Sequence, residues 1–145
     1  MSMRLAKNNA AAFNYYSEGD NTNPIRAAVT LDGAGGTKVG NSVDPIYVIF
    51  ENDTGGIATI SGHDDNPTGP LVAMSNEQAG INWELSADGA TGWAESLTLN
   101  DQSVSGGAVA IRIYARCTVV DDGSIAVNNY TQAKFNTKCK QEPAA

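Results

Sequence analysis

The clearest alternation of apolar and polar residues lies in the stretch Gly107–Val120, GAVAIRIYARCTVV. Apolar residues take its odd positions from Val109 to Val119, whereas arginine, tyrosine and threonine take the even positions from Arg112 to Thr118. Because consecutive side chains of a strand point to opposite faces of a sheet, this pattern predicts one apolar and one polar face. We therefore expect Gly107–Val120 to be a central, core-forming strand of an antiparallel sheet.

Shorter strand patterns occur along the rest of the chain, separated by turn sequences. Apolar or alternating runs bounded by Gly, Pro, Asn and Asp are typical of strands. They predict further strands at Ile25–Leu31, Pro45–Glu51, Gly56–Ser61, Ile81–Ser86, Ser96–Leu99 and Ala126–Thr137. The stretch Leu71–Gly80 fits either an apolar strand or, in its second half, one helical turn capped by Ser75 and ended by Gly80.

The turn sequences also predict which strands are neighbours. Asp53–Gly56 is expected to pair the strand before it with the strand after it. The dipeptide Asp88-Gly89 is a hairpin signal. Asp121–Gly123 is expected to return Ala126–Thr137 alongside the long strand.

Strand number and spacing predict the fold class. About seven or eight strands at intervals of about 10–15 residues are typical of an all-β antiparallel sandwich. We expect an immunoglobulin-like β-sandwich, with a jelly roll or a small barrel as the alternative. The expected organisation is an N-terminal arm over residues 1–24, a sandwich domain over 25–138 and a C-terminal tail over 139–145.

The expected arm carries a cluster of aromatic residues, Phe13, Tyr15 and Tyr16. The piece 3–16 is long enough for one or two helical turns, which are marginal alone in water. A segment with little core of its own is expected to dock, either onto this protein's own sandwich or into a neighbouring subunit, with disorder as the remaining alternative. We therefore expect these three aromatics to be interface residues.

Composition narrows the function classes. Of 145 residues, 41% are hydrophobic and 17% are charged, and the formal net charge is −7. A nucleic-acid-binding protein normally carries a basic surface, so a pI near 4.4 argues against that class. The sequence shows neither a signal-peptide pattern nor an apolar run of about 18 residues, so we expect no secretion and no membrane partner.

The sequence offers few candidates for chemistry. The glycines of Gly33–Gly40 match no phosphate-binding pattern, so we expect a flexible hairpin loop there. The one histidine, His63, lies in a Gly, Pro and Asp loop whose spacing fits neither zinc nor calcium. We expect a solvated turn and no metal or cofactor, with calcium at Asp64 and Asp65 as the better guess if a cation binds.

The sequence also gives little support for a catalytic site. A Ser-His-Asp or Cys-His site would have to use His63, and neither cysteine has a recognisable nucleophile context. Glu51, Glu84 and Glu95 allow a carboxylate pair in principle, but Glu84 falls on the polar face of its strand. We therefore expect no enzyme and no catalytic residues.

The two cysteines are expected to be free thiols. If Ala126–Thr137 folds straight back on the long strand, Cys139 lies about 30 Å from Cys117. A disulfide needs Cα atoms within about 7 Å. We expect Cys117 to be a small core residue, and a disulfide would need a different partner strand.

The polar face of the long strand carries Arg112, Tyr114 and Arg116. One interpretation is a solvated face on which the arginine stems cover Tyr114. The other is an interface, because Arg and Tyr are enriched at binding hot spots. We include these three residues among the expected interface residues.

One part of the chain resembles a known class of module. The run Trp83–Trp93, WELSADGATGW, then Ser96–Leu99, then Val109–Arg116, VAIRIYAR, is similar to the C-terminal half of immunoglobulin-like modules in tailed-phage virion proteins. In these modules a strand–S-x-D-G–Trp hairpin precedes a strand of the V-x-I-R-x-x-A-R type. The resemblance covers about residues 81–137, and an arm ahead of a small acidic sandwich also resembles capsid decoration, or cement, proteins.

The resemblance implies a non-enzymatic protein of the virion, made in the host cytoplasm. Its expected partners are the major capsid protein or other virion subunits, and it implies a homo-oligomer, usually a trimer, although no trimer interface is recognisable here. One alternative is a tail or baseplate component or an extracellular filament subunit that exchanges strands through its arm. A further alternative is a carbohydrate-binding module whose stacking platform comprises Trp83, Trp93, Tyr114 and Tyr130.

Overall fold

The computed structural model describes residues 2–17, 22–52, 56–75, 77–126, 128, 130 and 132–143. These residues form eleven β-strands and no helix, which confirms the predicted all-β class. The strands are β1 (Ser2–Ala6), β2 (Thr37–Asn41), β3 (Ile46–Asn52), β4 (Ala58–Ser61), β5 (Leu71–Ser75), β6 (Ile81–Ser86), β7 (Ser96–Thr98), β8 (Gln102–Val104), β9 (Gly107–Val120), β10 (Lys134–Lys138) and β11 (Lys140–Pro143).

The first layer of the fold is a five-stranded antiparallel sheet built on β9. Strands β2 and β6 flank the second half of β9, because both pair with residues 116–119. Strand β3 pairs with the first half, from Gly107 to Ile113. Strand β1 lies outside β3, with Leu5 opposite Val48. The alternation in Gly107–Val120 therefore correctly predicts a central strand.

The second layer consists of two three-stranded sheets whose strands continue one another. Their strand orders are β10-β5-β7 and β11-β4-β8. Short interruptions separate the continuing strands: Cys139 between β10 and β11, residues 62–70 between β4 and β5, and residues 99–101 between β7 and β8. This layer is thus made of three long, interrupted strands.

One apolar core joins the two layers. Odd-numbered residues of β9, including Ile113 and Cys117, pack in the same cluster as Val72 and Phe135 of the second layer. Burial of a large apolar side chain contributes about 1.5–3 kcal/mol, so this shared cluster is the main source of stability. The architecture is consistent with a β-sandwich, and the choice between an immunoglobulin-like fold and a jelly roll stays a prediction.

The segment expected to be an arm contributes to this sandwich. Residues 2–6 form β1 rather than helical turns, and Met3 and Leu5 are buried in the core. The alternation of SMRLA explains the strand, because Met3 and Leu5 fall on one face and Arg4 on the other. At the other end, residues 140–143 of the expected tail form β11, which pairs with β4.

The apolar segment Ile25–Leu31 forms no strand, contrary to expectation. Its one bridge to a neighbour joins Ala27 to Ser42. The segment crosses the chain at Gly40, where an added Cβ would lie 2.2 Å from the carbonyl oxygen of Ala28. Instead of pairing along an edge, Ile25–Leu31 packs its apolar residues against the core.

Two predicted strand pairings are wrong, and among the described residues of the predicted strand Ala126–Thr137 only 134–137 lie in a strand. Strand β4 pairs with β8 and β11 rather than with β3. Strand β10 pairs with β5 rather than with β9. In both cases strands that follow one another in the sequence lie in different layers, so adjacency in sequence does not make them partners. The expected turn at Asp53–Gly56 lies mostly outside the described residues.

The ambiguous stretch Leu71–Gly80 begins as strand β5. Val72 and Met74 point into the core, whereas Leu71, Ala73 and Ser75 are half-buried on the opposite face. The residues at the apolar start of this stretch therefore alternate between two faces, as the residues of a strand do.

Candidate interaction surface

The polar side of β9 forms the centre of a surface on the outside of the five-stranded sheet. Register places Tyr47 of β3 opposite Arg112, and Glu84 of β6 opposite Arg116. We call this surface the aromatic–arginine face, and all of its side chains are half-buried. They are Arg4, Phe13, Tyr15, Tyr47, Trp93, Arg112, Tyr114 and Arg116.

Arg112 lies between two tyrosine rings. Its Cζ atom is 5.3 Å from the ring centroid of Tyr47 and 4.6 Å from that of Tyr114. A guanidinium over an aromatic face is attracted by the ring quadrupole, and the attraction strengthens as water is excluded. The Nε atom of Arg112 is buried and has no hydrogen-bond partner among the described residues. The flat guanidinium is therefore held by stacking rather than by an ion pair.

Arg116 is held in two ways. Its Cζ atom lies 4.3 Å from the ring centroid of Trp93. Its Nε donates a hydrogen bond to Glu84 Oε1 at 3.0 Å, across the strand pair. The carboxylate and the indole together fix the direction of this side chain, so Arg116 is preorganised for contact at its remaining N–H groups.

The loop after β6 brings Trp93 onto this face. The Asp88 carboxylate accepts hydrogen bonds from the backbone N–H groups of Ala90 and Thr91, both at 2.9 Å. These hydrogen bonds, from Thr91 first, hold the pKa of Asp88 well below its usual range. Gly89 has φ +76° and lies against Tyr114, whose ring would be 2.9 Å from an added Cβ. The turn predicted at Asp88-Gly89 thus shapes the surface.

The N-terminal residues extend the surface at the opposite edge. The guanidinium of Arg4 lies 4.0 Å from the ring centroid of Tyr15. The Tyr15 hydroxyl donates to Glu51 Oε1, and the ring of Phe13 is 5.7 Å from that of Tyr15. These contacts place Phe13 and Tyr15 against the protein's own sheet, which was one of the two expected docking modes.

Tyr16, the third expected interface aromatic of the N-terminal segment, lies in the core instead. Its ring is 3% exposed and makes an edge contact with Phe135 at 5.3 Å. Its hydroxyl donates to the Pro45 carbonyl oxygen at 2.8 Å. Burial, followed by the nearby Asp44 carboxylate, raises the pKa of Tyr16. Adjacent strand-like residues point to opposite faces, so Tyr15 and Tyr16 separate.

The structure therefore brings five of the six expected interface residues onto one sheet face, together with Arg4, Tyr47 and Trp93, which were not among the expected interface residues. The positions of Tyr47 and Arg4 on this face were not predictable, because they depend on pairing between strands that are distant in sequence. Trp93 could have been found from the hairpin signal before it, which is expected to return the chain over the sheet. Three of the chain's four arginines lie here, in a molecule with a net charge of −7.

The four aromatics of the alternative carbohydrate platform do not meet. Trp83 is 6% exposed and packs in the core. Trp93 and Tyr114 lie on the aromatic–arginine face, whereas Tyr130 lines an apolar groove of about 520 Å³ with Ile25 and Ile125.

The loop with His63 is a self-bonded turn. The His63 Nδ1 atom accepts the backbone N–H of Asp65 at 3.2 Å, and the Asn66 N–H donates to the His63 carbonyl at 2.8 Å. The Asp65 carboxylate is 3.0 Å from Lys138 Nζ. The described residues hold no group of three His, Cys, Asp or Glu side chains able to share a metal.

The stretch Gly33–Gly40, expected to be a flexible hairpin loop, is a loop only before Thr37, where strand β2 begins, and an internal carboxylate holds that loop. Asp121 is 6% exposed and accepts the backbone N–H groups of Asp32 and Gly33 at 3.2 and 3.0 Å. These amides, which would bind a phosphate in a nucleotide loop, already have an anionic partner within the chain.

Both cysteines are free thiols, as predicted. Cys117 is 5% exposed on the inner face of β9, and Cys139 is half-buried between β10 and β11. Burial, with a smaller effect of Glu77, raises the pKa of Cys117 to about 11. The thiol of Cys117 is thus a packing group, which confirms its predicted core position.

No protein-family model, curated protein or solved structure matches this chain. Among the described residues, no helix is both long enough and apolar enough to span a membrane.

Proposed function

We propose that the protein is a non-enzymatic structural component of a tailed-phage virion that binds the outer surface of the capsid. The observation that carries the proposal is the aromatic–arginine face, which concentrates residues typical of binding hot spots on a single sheet face. The similarity of residues 81–137 to virion immunoglobulin-like modules supports the same function, because those residues form β6, the Trp93 loop and β9.

The chemistry of the face defines the partner it would fit. Arg112 and Arg116 lie four residues apart on one strand, flanked by Tyr47, Tyr114 and Trp93. Such a surface binds carboxylates through the guanidinium N–H groups and apolar side chains through the rings. The proposed partner is therefore an acidic and partly apolar patch of the major capsid protein.

The test compares two double variants of the full chain. Arg112→Glu with Arg116→Glu reverses the charge of the face, whereas Lys134→Glu with Lys138→Glu makes the same charge change on β10 of the other layer. We expect the arginine variant to weaken binding to purified capsids by about tenfold or more, and the lysine variant to bind like the unmodified chain. Co-sedimentation measures binding, and circular dichroism verifies that both variants are folded.

The outcomes separate the proposed functions. Equal binding by the arginine variant would exclude the face as the capsid contact. If the unmodified chain binds purified tails but no capsids, the tail or baseplate alternative replaces the capsid proposal. A mass near three times 15.1 kDa in solution would support the trimer that the resemblance implies, whereas a dimer would contradict that one implication and leave capsid binding untouched.

A further inference from the structure

One edge of the five-stranded sheet has no partner strand. Over Gly107–Ile113, β9 pairs with β3 on one side. On the other side, β6 ends at Ser86 opposite Tyr114, and the chain then turns away toward Trp93. Within the part of the chain that the structure describes, no strand continues β6 along this half of β9.

The backbone groups on that edge can be identified from the neighbouring hydrogen bonds. The Ala115 carbonyl accepts the Ser42 N–H at 3.0 Å, on the side of β2. Leu85, opposite Ala115, exchanges both of its backbone hydrogen bonds with Ala94, on the side away from β9. Odd residues of β9 thus bond toward β2. Leu5 bonds away from β3, to Tyr16, so its partner Val48 bonds toward Ile111, and odd residues of β9 bond toward β3 as well. By alternation, the N–H and C=O groups of Ala108, Ala110 and Arg112 point to the open edge.

Several other edges among the described residues are covered or blunted, in contrast to this one. On β1, Leu5 accepts the Tyr16 N–H and Met3 accepts the Thr137 hydroxyl, at 2.9 and 3.3 Å. Strand β11 carries Lys140 and ends at Pro143, and β7 and β8 are three residues each. Proteins use such devices to prevent strands from adding to an edge.

We propose that the open edge of β9 pairs with the same edge of a second copy of this chain. The two strands run antiparallel about a two-fold axis at Ala110, so that Ala110 faces Ala110 of the partner subunit. Ala108 then faces Arg112 of the other copy in both halves of the pair. This register uses every free N–H and C=O of the three residues, which gives six backbone hydrogen bonds by the pairing rule for antiparallel strands.

The side chains suit this register on both faces. On the outer face, small alanines lie at the axis and opposite each arginine, so no like charges face one another. On the inner face, Val109 lies opposite Ile111 of the partner subunit. Both residues are only half-buried in the single chain, whereas Ile113 of the same face is fully buried. Pairing would shelter the apolar surface that the open edge leaves exposed.

The pairing would join two aromatic–arginine faces into one continuous surface. Both copies of Arg112 would lie beside the seam, with the Tyr47 and Tyr114 rings on either side. This inference concerns the free chain and does not depend on a capsid partner, so it can fail while the proposed function stands.

The test measures the mass of the full chain by light scattering over a range of concentrations. Unmodified protein is expected to reach twice 15.1 kDa. Ala110→Lys and Ala110→Glu each place like charges opposite one another at the axis, and we expect each to raise the dissociation constant by about tenfold or more. An equimolar mixture of the two variants should restore the dimer, because opposite charges then meet. The matched controls, Val39→Lys and Val39→Glu, change an exposed position of β2 and should leave the dimer intact.

Hydrogen exchange provides a readout that needs no variant. The amides of Ala110 and Arg112 should be protected at high protein concentration and exchange faster on dilution. A chain that stays monomeric at millimolar concentration, a trimer, or a dimer unaffected by both Ala110 variants would overturn the inference.

Discussion

The two faces of β9 come from alternate residues of one strand, yet different interactions hold them. Ile113 and Cys117 on the inner face join a non-directional apolar core. Arg112 and Arg116 on the outer face stack on rings supplied by β3, by β9 itself and by the loop after β6. The inner face requires apolar volume, whereas the outer face requires particular residues in register. Stability should therefore depend mainly on the first face and binding on the second.

The largest expected difference is in thiol reactivity. Cys117 is buried with its pKa raised to about 11, so its thiolate fraction at pH 8 should be about a hundredfold below that of an ordinary cysteine. Half-buried Cys139 should react first with a thiol reagent in the native protein, and Cys117 only on unfolding. Mass spectrometry of Cys139→Ser and Cys117→Ser, labelled with and without denaturant, distinguishes the two. Fast native labelling of Cys117 would show that the inner face opens.

The next largest effect is on stability. Ile113→Ala removes a fully buried side chain from the core and should cost about 2–5 kcal/mol in the free energy of unfolding. Thr118→Ala, a half-buried position on the outer face of the same strand, should change it by less than about 0.5 kcal/mol. Urea unfolding measures both. Equal losses in the free energy of unfolding would contradict the conclusion that stability depends mainly on the inner face.

A smaller effect is expected where a loop meets the outer face. Gly89→Ala places a Cβ at φ +76° and 2.9 Å from the Tyr114 ring, so it combines backbone strain with a clash. Gly92→Ala has φ +67° but open space around the added Cβ, and isolates the backbone cost of about 1 kcal/mol. We expect Gly89→Ala to be the more destabilising in urea unfolding. Equal losses would mean that Tyr114 moves freely on its sheet.

The smallest effect is a pH dependence. The pKa of Asp88 is lowered in the folded state by hydrogen bonds from Thr91 and Ala90, so the ionised form stabilises the fold. That contribution is complete above the unfolded pKa of about 4 and is lost as the pH falls toward the lower folded value. Asp88→Asn should therefore have a lower Tm than the unmodified protein at pH 7. The difference in Tm between the two proteins should become smaller below pH 4. A gap that is the same at pH 7 and pH 3 would contradict this linkage.

The sequence predicts the central strand well, misses the short strands β1, β2, β8 and β11, and predicts strand partners poorly. The period of two in Gly107–Val120 identifies both faces of β9, because it depends only on local alternation. Partners such as β4 with β11, or β10 with β5, depend on how two layers share their strands, and no local turn signal encodes that choice. Ile25–Leu31 has a strand-like composition, but its close crossing at Gly40 is a tertiary feature.

The same limit applies to the candidate surface. Arg112, Tyr114 and Arg116 are predictable as neighbours because they share one strand. Their stacking partners Tyr47 and Trp93 come from elsewhere in the chain, and only register and loop path bring them together. Tyr16 shows the cost of treating an aromatic cluster as one unit, since one residue of shift moves a side chain from surface to core.

The closeness of β1 and β10 has a consequence for the order of folding during synthesis. The Thr137 hydroxyl donates to the Met3 carbonyl at 3.3 Å, across 134 positions of sequence. Strand β5, in the middle of the second layer, has β10 as one of its partner strands. The second layer is therefore complete only after the ribosome has released residues 134–143, whereas all five strands of the first layer precede them in the chain. Until then the apolar side of β9 lacks the part of its cover that Phe135 supplies, so folding that depends on such distant contacts should be slow.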